Sequence, residues 1–397
     1  MDKVLKGVVI SSIGLLCPLG ACVEEALLAI EGGRCAFETF SLNGEDVLIS
    51  PVRGEIVNRT PPFKYRRYLS PWGMFVLYAA TWALEHGGID PGEYDHMGLF
   101  LGVGPNTEVL GGDGLSQALA LLKVIPNTPT CIISELFGIH GENLTITNAC
   151  TSSLQAVGEG FRRIRYGTLS LAMCGGGDSR LNPWGLELYN RAHVLFHPCD
   201  TPPLPSYAPF DVENQGFVPG EGAAILILEE RERAYKRGDF IWGEVLGYGS
   251  TIAGKGPTAP LARGLIAALS CALEEAGLEG GEIDVVFAHG TGTPLNDMAE
   301  IEAISSVLSA DVPICALKSW IGHLSAGCGG VELSLALGCV MQGWLPPIRN
   351  LKHPRDGTLH FVTKREEINL PANVLIQNMG FGGHNAALII RVGELTS

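Results

Sequence analysis

Three residues in this 397-residue chain have the types and settings for covalent chemistry: Cys150, His289 and His323. Cys150 lies in Asn148-Ala149-Cys150-Thr151-Ser152-Ser153, between a β-branched segment over 143–147 and an amphipathic helix pattern with Leu154, Val157, Phe161 and Ile164 on one face. A cysteine at such a turn sits at a helix start, where unpaired N–H groups and the helix dipole favour a thiolate, the nucleophilic form. The same position also suits a buried structural thiol. His289 follows the apolar run Val285–Ala288 and opens His289-Gly290-Thr291-Gly292-Thr293. His323 closes Lys318-Ser319-Trp320-Ile321-Gly322-His323, and Glu332 lies on the helix beyond. A further Gly-rich loop, Asn378-Met379-Gly380-Phe381-Gly382-Gly383-His384-Asn385, precedes a last strand. One cysteine and two histidines at the ends of separate strands form a candidate site, because ligands and reactive groups collect at strand ends in α/β chains.

The elements that must carry these residues alternate between strand and helix. A buried strand is expected over 6–12; Ser11, Ser12, Gly14 and Pro18 interrupt what would otherwise resemble a signal peptide behind Lys3 and Lys6. A helix over 23–31 ends at Gly32-Gly33. Residues 34–70 read as irregular. A helix runs from Pro71 to His86, with Pro in the first turn where it is tolerated. Strands are expected over 97–103, 169–174, 223–228 and 242–248, a helix over 116–124, and a Pro-rich loop over 196–211. One repeat stands out: residues 83–95 (ALEHGGIDPGEYD) and 272–284 (ALEEAGLEGGEID) are identical at seven of thirteen positions, 189 residues apart, and each leads into an apolar strand. This predicts two halves of similar topology, 1–245 with Cys150 and 246–397 with both histidines.

Composition narrows the function classes. The chain is 46% hydrophobic and 17% charged with 52 Gly, which suits a compact α/β protein. A net charge of −15 repels a phosphate backbone, so nucleic-acid binding is not expected. The eleven cysteines are an odd number with no CxxC pair, which disfavours a disulfide framework or a zinc site and fits a reducing cytoplasm. No run of 18 apolar residues predicts a membrane span.

The motifs taken together resemble those of the β-ketoacyl synthases of the elongating type, the bacterial 3-oxoacyl-(acyl-carrier-protein) synthase I/II group. They are GVVISSIGLLCPLG at the start, ACTSS around Cys150, APFDVENQGFVPGEGA at 208–223, HGTGTPLND at 289–297, KSWIGHLSAGCGGVE at 318–332 and GFGGHN at 380–385. The resemblance covers essentially the whole chain. It implies a thiolase-like α/β/α/β/α fold of two halves. It also implies decarboxylative Claisen condensation of an acyl thioester, held on Cys150, with a malonyl thioester delivered by acyl carrier protein.

By the same resemblance, His289 and His323 hold the malonyl carbonyl oxygen, and Lys318 and Glu332 support His323. The N–H groups of Cys150 and Phe381 form the oxyanion hole, with Gly380 and Gly382 shaping the loop that Phe381 gates. Thr291 and Thr293 bind the phosphopantetheine arm, and no other cofactor is implied. Pro105 and Tyr189 fall at acyl-pocket positions. Lys64, Arg66 and Arg67 are the candidates for docking carrier protein, with Arg162, Arg163 and Arg165 next. A homodimer is implied, in which the strand before Cys150 pairs with its copy; a heterodimer with a related subunit is the alternative. Other readings are a non-condensing chain-length-factor-like subunit and a synthase of a specialised polyene or polyketide-like chain. Departures from the family pattern are Asn214 and Gln215, Pro198, His384 and a shortened 250–255 segment.

Overall fold

The computed structural model describes residues 5–53, 63–111, 119–198, 207–254, 256 and 259–393. The chain begins with β1 (Val8–Leu16), α1 (Val23–Glu31) and a hairpin of β2 (Glu38–Leu42) and β3 (Glu45–Ile49). Then follow α2 (Pro71–His86), β4 (Gly98–Val103), β5 (Asn143–Ile146), α3 (Ser152–Arg165), β6 (Leu171–Ser179) and β7 (Glu221–Glu230). The second part carries β8 (Gly243–Ile252), α4 (Ala262–Ala276), β9 (Val285–Phe287), α5 (Pro294–Val307), β10 (Ile314–Cys315) and α6 (Cys328–Met341). It ends with the short pair β11 (Trp344–Leu345) and β12 (Glu366–Glu367), then β13 (Ala372–Gly380) and β14 (His384–Val392).

The main sheet has the order β10-β9-β13-β14-β8-β1-β7-β6-β4-β5. Read outward from its centre, one side runs β1, β7, β6, β4, β5 and the other β8, β14, β13, β9, β10. Each side places its first, fifth, fourth, second and third strands in the same sequence, so one topology occurs twice. In the sheet the two sides meet where Val8–Ile10 of β1 pairs with 243–245 of β8. The division expected at 245/246 therefore falls inside β8.

Layering follows from which faces are apolar. α2 covers the outer face of the first side, against β1, β6 and β7, and α4 covers the second, against β8 and β14. α3 and α6 lie between the two sides and touch each other. α6 is buried on every face through Val340, as a helix in a central layer must be, with Glu332 its charged residue. The core divides accordingly into an inner cluster around α3 and α6 and an outer cluster under each covering helix. Ser70 caps α2 by accepting from Gly73 N–H at 3.2 Å, with Pro71 at the first position, which is why this helix starts as its sequence predicts.

Several expectations change. β1 starts at Val8 and continues through Gly14 to Leu16, because every residue in it is buried and all but Ser11, which sits at a bulge, pair with β7. The segment read as irregular contains the β2–β3 hairpin, turned by Asn43 and Gly44 at positive φ. β6 runs through its glycines to Ser179, since they pair with β4 and β7. The helix expected over 116–124 spans Ala120–Val124, and 112–118 lie outside the described residues. Helices at Thr128–Phe137 and Pro183–Arg191 had no counterpart in the sequence reading.

Gly102 sets how closely α3 approaches the sheet. A Cβ there would lie 2.2 Å from the Ser152 carbonyl carbon and the Ser153 nitrogen, at the start of α3. Gly102→Ala is expected to displace that helix start and destabilise the protein by about 1–3 kcal/mol, as overpacking does. A thermal melt superimposable on wild type would contradict this close approach.

Candidate active site

Cys150 occupies a tight turn between β5 and α3. Ala149 before it has φ 51°, a left-handed conformation costing a non-glycine residue about 1–2 kcal/mol. The following hydroxyls hold the turn. Ser152 Oγ accepts from Asn148 N–H at 2.8 Å and donates to Ala149 O at 2.6 Å, and Thr151 Oγ1 donates to Asn148 O at 2.8 Å. The other half has the matching turn between β10 and α6, where Ser325 has φ 50°. Ser153 Oγ accepts from Gly330 N–H at 3.0 Å and so ties α3 to α6.

The fold brings Cys150, His289 and His323 together. Cys150 Sγ and one ring nitrogen of each histidine lie within 4.8 Å of one another, and the two rings meet edge to face with centroids 5.4 Å apart. All three border a cavity of about 570 Å³, also lined by Tyr189, Thr291, Thr293 and Phe381. Thr291 and Thr293 join through their hydroxyls at 2.8 Å. Phe381 is 42% exposed at the cavity edge. A Cβ on Gly380 would lie 3.2 Å from Cys150 N, so the loop carrying Phe381 passes directly over the cysteine. Gly382 has φ 85° and makes the turn of that loop.

Each histidine has its Nδ1 committed. The Lys318 ammonium sits 3.0 Å from His289 Nδ1, and Asn378 Nδ2 donates to the same nitrogen at 3.1 Å. Ser325 N–H donates to His323 Nδ1 at 2.9 Å. Both Nδ1 atoms are therefore acceptors, and each neutral ring carries its proton on Nε2. Burial first, then Lys318 and the neighbouring imidazole, holds His289 well below the ordinary histidine value. Burial, then Lys318, lowers His323 in the same way. Two uncharged N–H donors thus share one site with a thiol.

The expected support of His323 by Lys318 and Glu332 is electrostatic only, and the direct contact goes to His289. Lys318 is fully buried, ion-paired with Glu332, and contacts His289 rather than His323. The reason is topological: β9 and β10 are parallel neighbours, so Lys318 just after β10 lies beside His289 just after β9. Asn378 closes the set by donating to Glu332 Oε2 at 2.9 Å. The sequence reading quoted Asn378 without a role, and nothing in its local pattern marks one.

It also missed two buried carboxylates on the helix after the His289 loop. Glu300 accepts from Gly290 N–H at 2.8 Å, from the His289 N–H and from Gln377 Nε2 at 2.8 Å, and burial pushes it up to about 7. Asp297 accepts from Phe210 N–H at 2.8 Å and from Gly292 N–H at 3.1 Å. An i, i+3 acidic pair on the first turns of an otherwise apolar face was the available signal. Asn214, a departure from the family pattern, donates to Gly216 O and Gly292 O at 2.8 Å each and so ties its own loop to the Thr291–Thr293 loop; Gln215 beside it lines the cavity. Behind the Phe381 loop, Ala253 N–H donates to Gly383 O at 2.8 Å, so backbone supports the loop there; Lys255 lies outside the described residues.

Other expected site residues fall elsewhere. Tyr189 lines the cavity, its hydroxyl 2.6 Å from Ser325 Oγ, whereas Pro105 is exposed and does not, because the chain leaves β4 at Val103 before reaching it. Arg66 and Arg67 are exposed, and Arg67 stacks on Tyr68; the Lys64 side chain lies outside the described residues. Arg162 pairs with Glu275 and Arg163 with Glu142, and Arg165 donates to Glu275 O, so α3 offers no free basic patch.

The three-residue cluster has metal-ligand types, but the cations beside it disfavour a metal ion. Lys318 contacts one ligand ring directly, and both Lys318 and Arg180 act on Cys150 as positive charges. The expected thiolate is not the resting form. Burial pushes the Cys150 thiol up to about 11, outweighing those cations, although the side chain is only half-buried and opens into the cavity. Alkylation of Cys150 by iodoacetamide should therefore climb about 100-fold from pH 7 to pH 9. A rate that levels off below pH 8 would show a thiolate already formed.

The profile of the Beta-ketoacyl synthase N-terminal domain matches residues 6–234, and that of its C-terminal domain residues 242–352. A 3-oxoacyl-[acyl-carrier-protein] synthase 2 of Vibrio cholerae is 30% identical over 414 residues, covering 97% of this chain and 98% of the relative. A beta-ketoacyl synthase from Burkholderia phymatum superimposes with a TM-score of 0.89 at 29% identity, covering 98% of this chain and all of the other. The ishigamide ketosynthase/chain length factor gives a TM-score of 0.87 at 28% identity, with coverage of 98% and 100%. With both halves of the chain matched and the thiolase-like architecture shared from end to end, this chain belongs to the β-ketoacyl synthase family.

Proposed function

We propose that this chain is a 3-oxoacyl-(acyl-carrier-protein) synthase, an acyltransferase that joins an acyl group held on Cys150 to a malonyl unit with loss of CO₂. The observation that supports this most directly is the pair of neutral imidazoles, His289 and His323, each with Nδ1 occupied and within 4.8 Å of Cys150 Sγ.

In the first step the Cys150 sulfur attacks the acyl thioester and its proton passes to the departing carrier sulfur, because both imidazoles have Nδ1 occupied and Nε2 already protonated. The carrier thiol then leaves with that proton. Negative charge on the tetrahedral oxygen meets the N–H groups of Cys150 and Phe381. In the second step the malonyl carboxylate breaks away as CO₂, and its electron pair moves onto the thioester oxygen. The two Nε2–H donors hold that enolate oxygen. Neutrality matters here, because a donor that stays uncharged keeps its proton and costs no reorganisation. The enolate carbon attacks the acyl-Cys150 carbonyl, and sulfur departs, leaving a 3-oxoacyl chain two carbons longer. Lys318, Glu332 and Asn378 act as positioning residues for His289. Thr291 and Thr293 receive the pantetheine arm, and the scheme requires no cofactor beyond it.

The substrates arrive on acyl carrier protein, an acidic partner, for which Arg66 and Arg67 form an exposed basic pair. β5 is an edge strand with Asn143 and Leu144 exposed, and pairing it with a second copy gives the dimer we propose. Ten described cysteines are all free, in keeping with a reducing cytoplasm. Among the described residues no helix is long and apolar enough to cross a membrane. A chain-length-factor-like role remains the second reading, since structures of that kind share this fold; the presence of Cys150 and both histidines favours condensation.

Incubating the protein with acyl- and malonyl-carrier thioesters should yield the 3-oxoacyl product by mass spectrometry. Cys150→Ala should abolish it, and His289→Ala should cut the rate by about 10²–10³-fold, as loss of one oxyanion-type donor does. Condensation by Cys150→Ala would refute the mechanism. Charge reversal at Arg66 and Arg67 should raise KM for carrier-bound substrate and leave use of pantetheine thioesters as before. Equal effects on both substrates would remove these residues from docking.

A further inference from the structure

The cavity beside Cys150 has a wall that a hydrocarbon chain would not select. Arg180, the residue after β6, lines that cavity together with Cys150 and Tyr189. Its Nε and Nη2 donate to the two Asp178 oxygens at 3.3 and 3.1 Å. The Asp178 side chain is wholly buried, and it also accepts from Ser179 N–H at 2.8 Å and from Ala326 N–H at 3.2 Å. The carboxylate is thus held from three sides and in turn holds the guanidinium. The Arg180 side chain keeps 16% exposure, directed to the cavity. Its Nη1 has no hydrogen-bond partner among the described residues. Next to it, the Tyr189 ring centroid is 5.8 Å from the guanidinium carbon.

A saturated chain entering here would strip water from those N–H groups and return no hydrogen bond. An acceptor oxygen on the chain makes the bond good. The charge balance decides what kind of oxygen. Asp178 already neutralises Arg180, and Glu332 neutralises Lys318. A carboxylate would bring an unmatched charge into the cavity, whereas a carbonyl brings none.

We propose that the acyl chain loaded on Cys150 carries a neutral acceptor oxygen, a keto or amide carbonyl, that hydrogen-bonds the Arg180 guanidinium. The substrate class is then an oxygenated acyl chain rather than a saturated one. This builds on the condensing function proposed above, and Arg180 becomes its specificity-determining residue.

The test is self-acylation of Cys150 by pantetheine thioesters, read by intact-protein mass spectrometry. The thioesters are hexanoyl to dodecanoyl chains, each compared with chains of equal length carrying one keto group at successive positions, and with an ω-carboxylated chain. At one keto position or more, the wild-type acylation rate should exceed that of the matched saturated chain by about ten- to a hundredfold. Arg180→Met should collapse that ratio to near one. Because Arg180→Met strands the buried Asp178 charge, the double variant Arg180→Met with Asp178→Asn is run alongside, with its melting temperature; it should lose the preference equally. Saturated chains acylating wild type as fast as every keto chain would overturn the proposal, as would a preference for the carboxylated chain. A preference that persists in the double variant would overturn it too. Failure of every thioester to acylate Cys150 would instead strike at the condensing function itself.

Discussion

The site depends on one buried charge. Lys318 is fully enclosed, and taking an ammonium out of water is tolerable only when a partner meets it. Glu332 supplies the countercharge, and Asn378 meets the carboxylate's second oxygen. The ammonium also donates to His289 Nδ1. That single contact does two things. It forbids a proton on Nδ1, and its positive charge discourages a second proton on the ring. His289 is thereby fixed as a neutral donor through Nε2. Removing either partner of such a pair costs about 3–5 kcal/mol, because the other charge is left uncompensated. Positioning and stability are therefore coupled at this point.

The duplicated strand order explains how such a set can be assembled from distant sequence. Each half sends one inner helix, α3 or α6, from a tight turn with a left-handed residue into the central layer. The first half uses its turn to present Cys150. The second uses the matching turn to place Ser325, whose N–H fixes His323. The same local geometry thus serves a nucleophile once and a histidine tautomer once. His289 and the Phe381 loop come from strands β9 and β13, which are neighbours in the sheet. All four groups converge because the two sides of the sheet share the helix layer between them.

Much of this was legible in the sequence, and the parts that were not have a common cause. Helix α2 was readable because its start signal is local: Pro71 in the first turn, behind the Ser70 that caps it in the structure. The repeat at 83–95 and 272–284 was readable because similar helix–turn–strand units carry similar residues. Cys150, His289 and His323 were readable as strand-end residues and from motif resemblance. Which histidine Lys318 contacts was not, because it depends on β9 and β10 lying side by side, a tertiary fact. β6 was cut short because a run of glycines looks like a turn when its two neighbouring strands are unknown. Pro105 fell where an acyl-pocket residue was expected, but the chain has already turned away from the cavity at that point.

The electrostatics of the cavity are organised as matched pairs rather than as a field. Lys318 with Glu332 and Arg180 with Asp178 each sum to zero, yet in both pairs it is the cation that acts on Cys150 more strongly than its anion. This arrangement favours groups whose negative charge appears only during reaction: the thiolate of Cys150, the enolate oxygen and the tetrahedral oxyanion. It offers little to a charge that persists through the reaction, because no whole countercharge is left over, whereas the malonyl carboxylate is discharged as CO₂. A Cys150 thiol that burial holds protonated at rest fits the same logic. The site spends no stability on a standing thiolate and lets positive ends of fixed pairs meet negative charge when it develops.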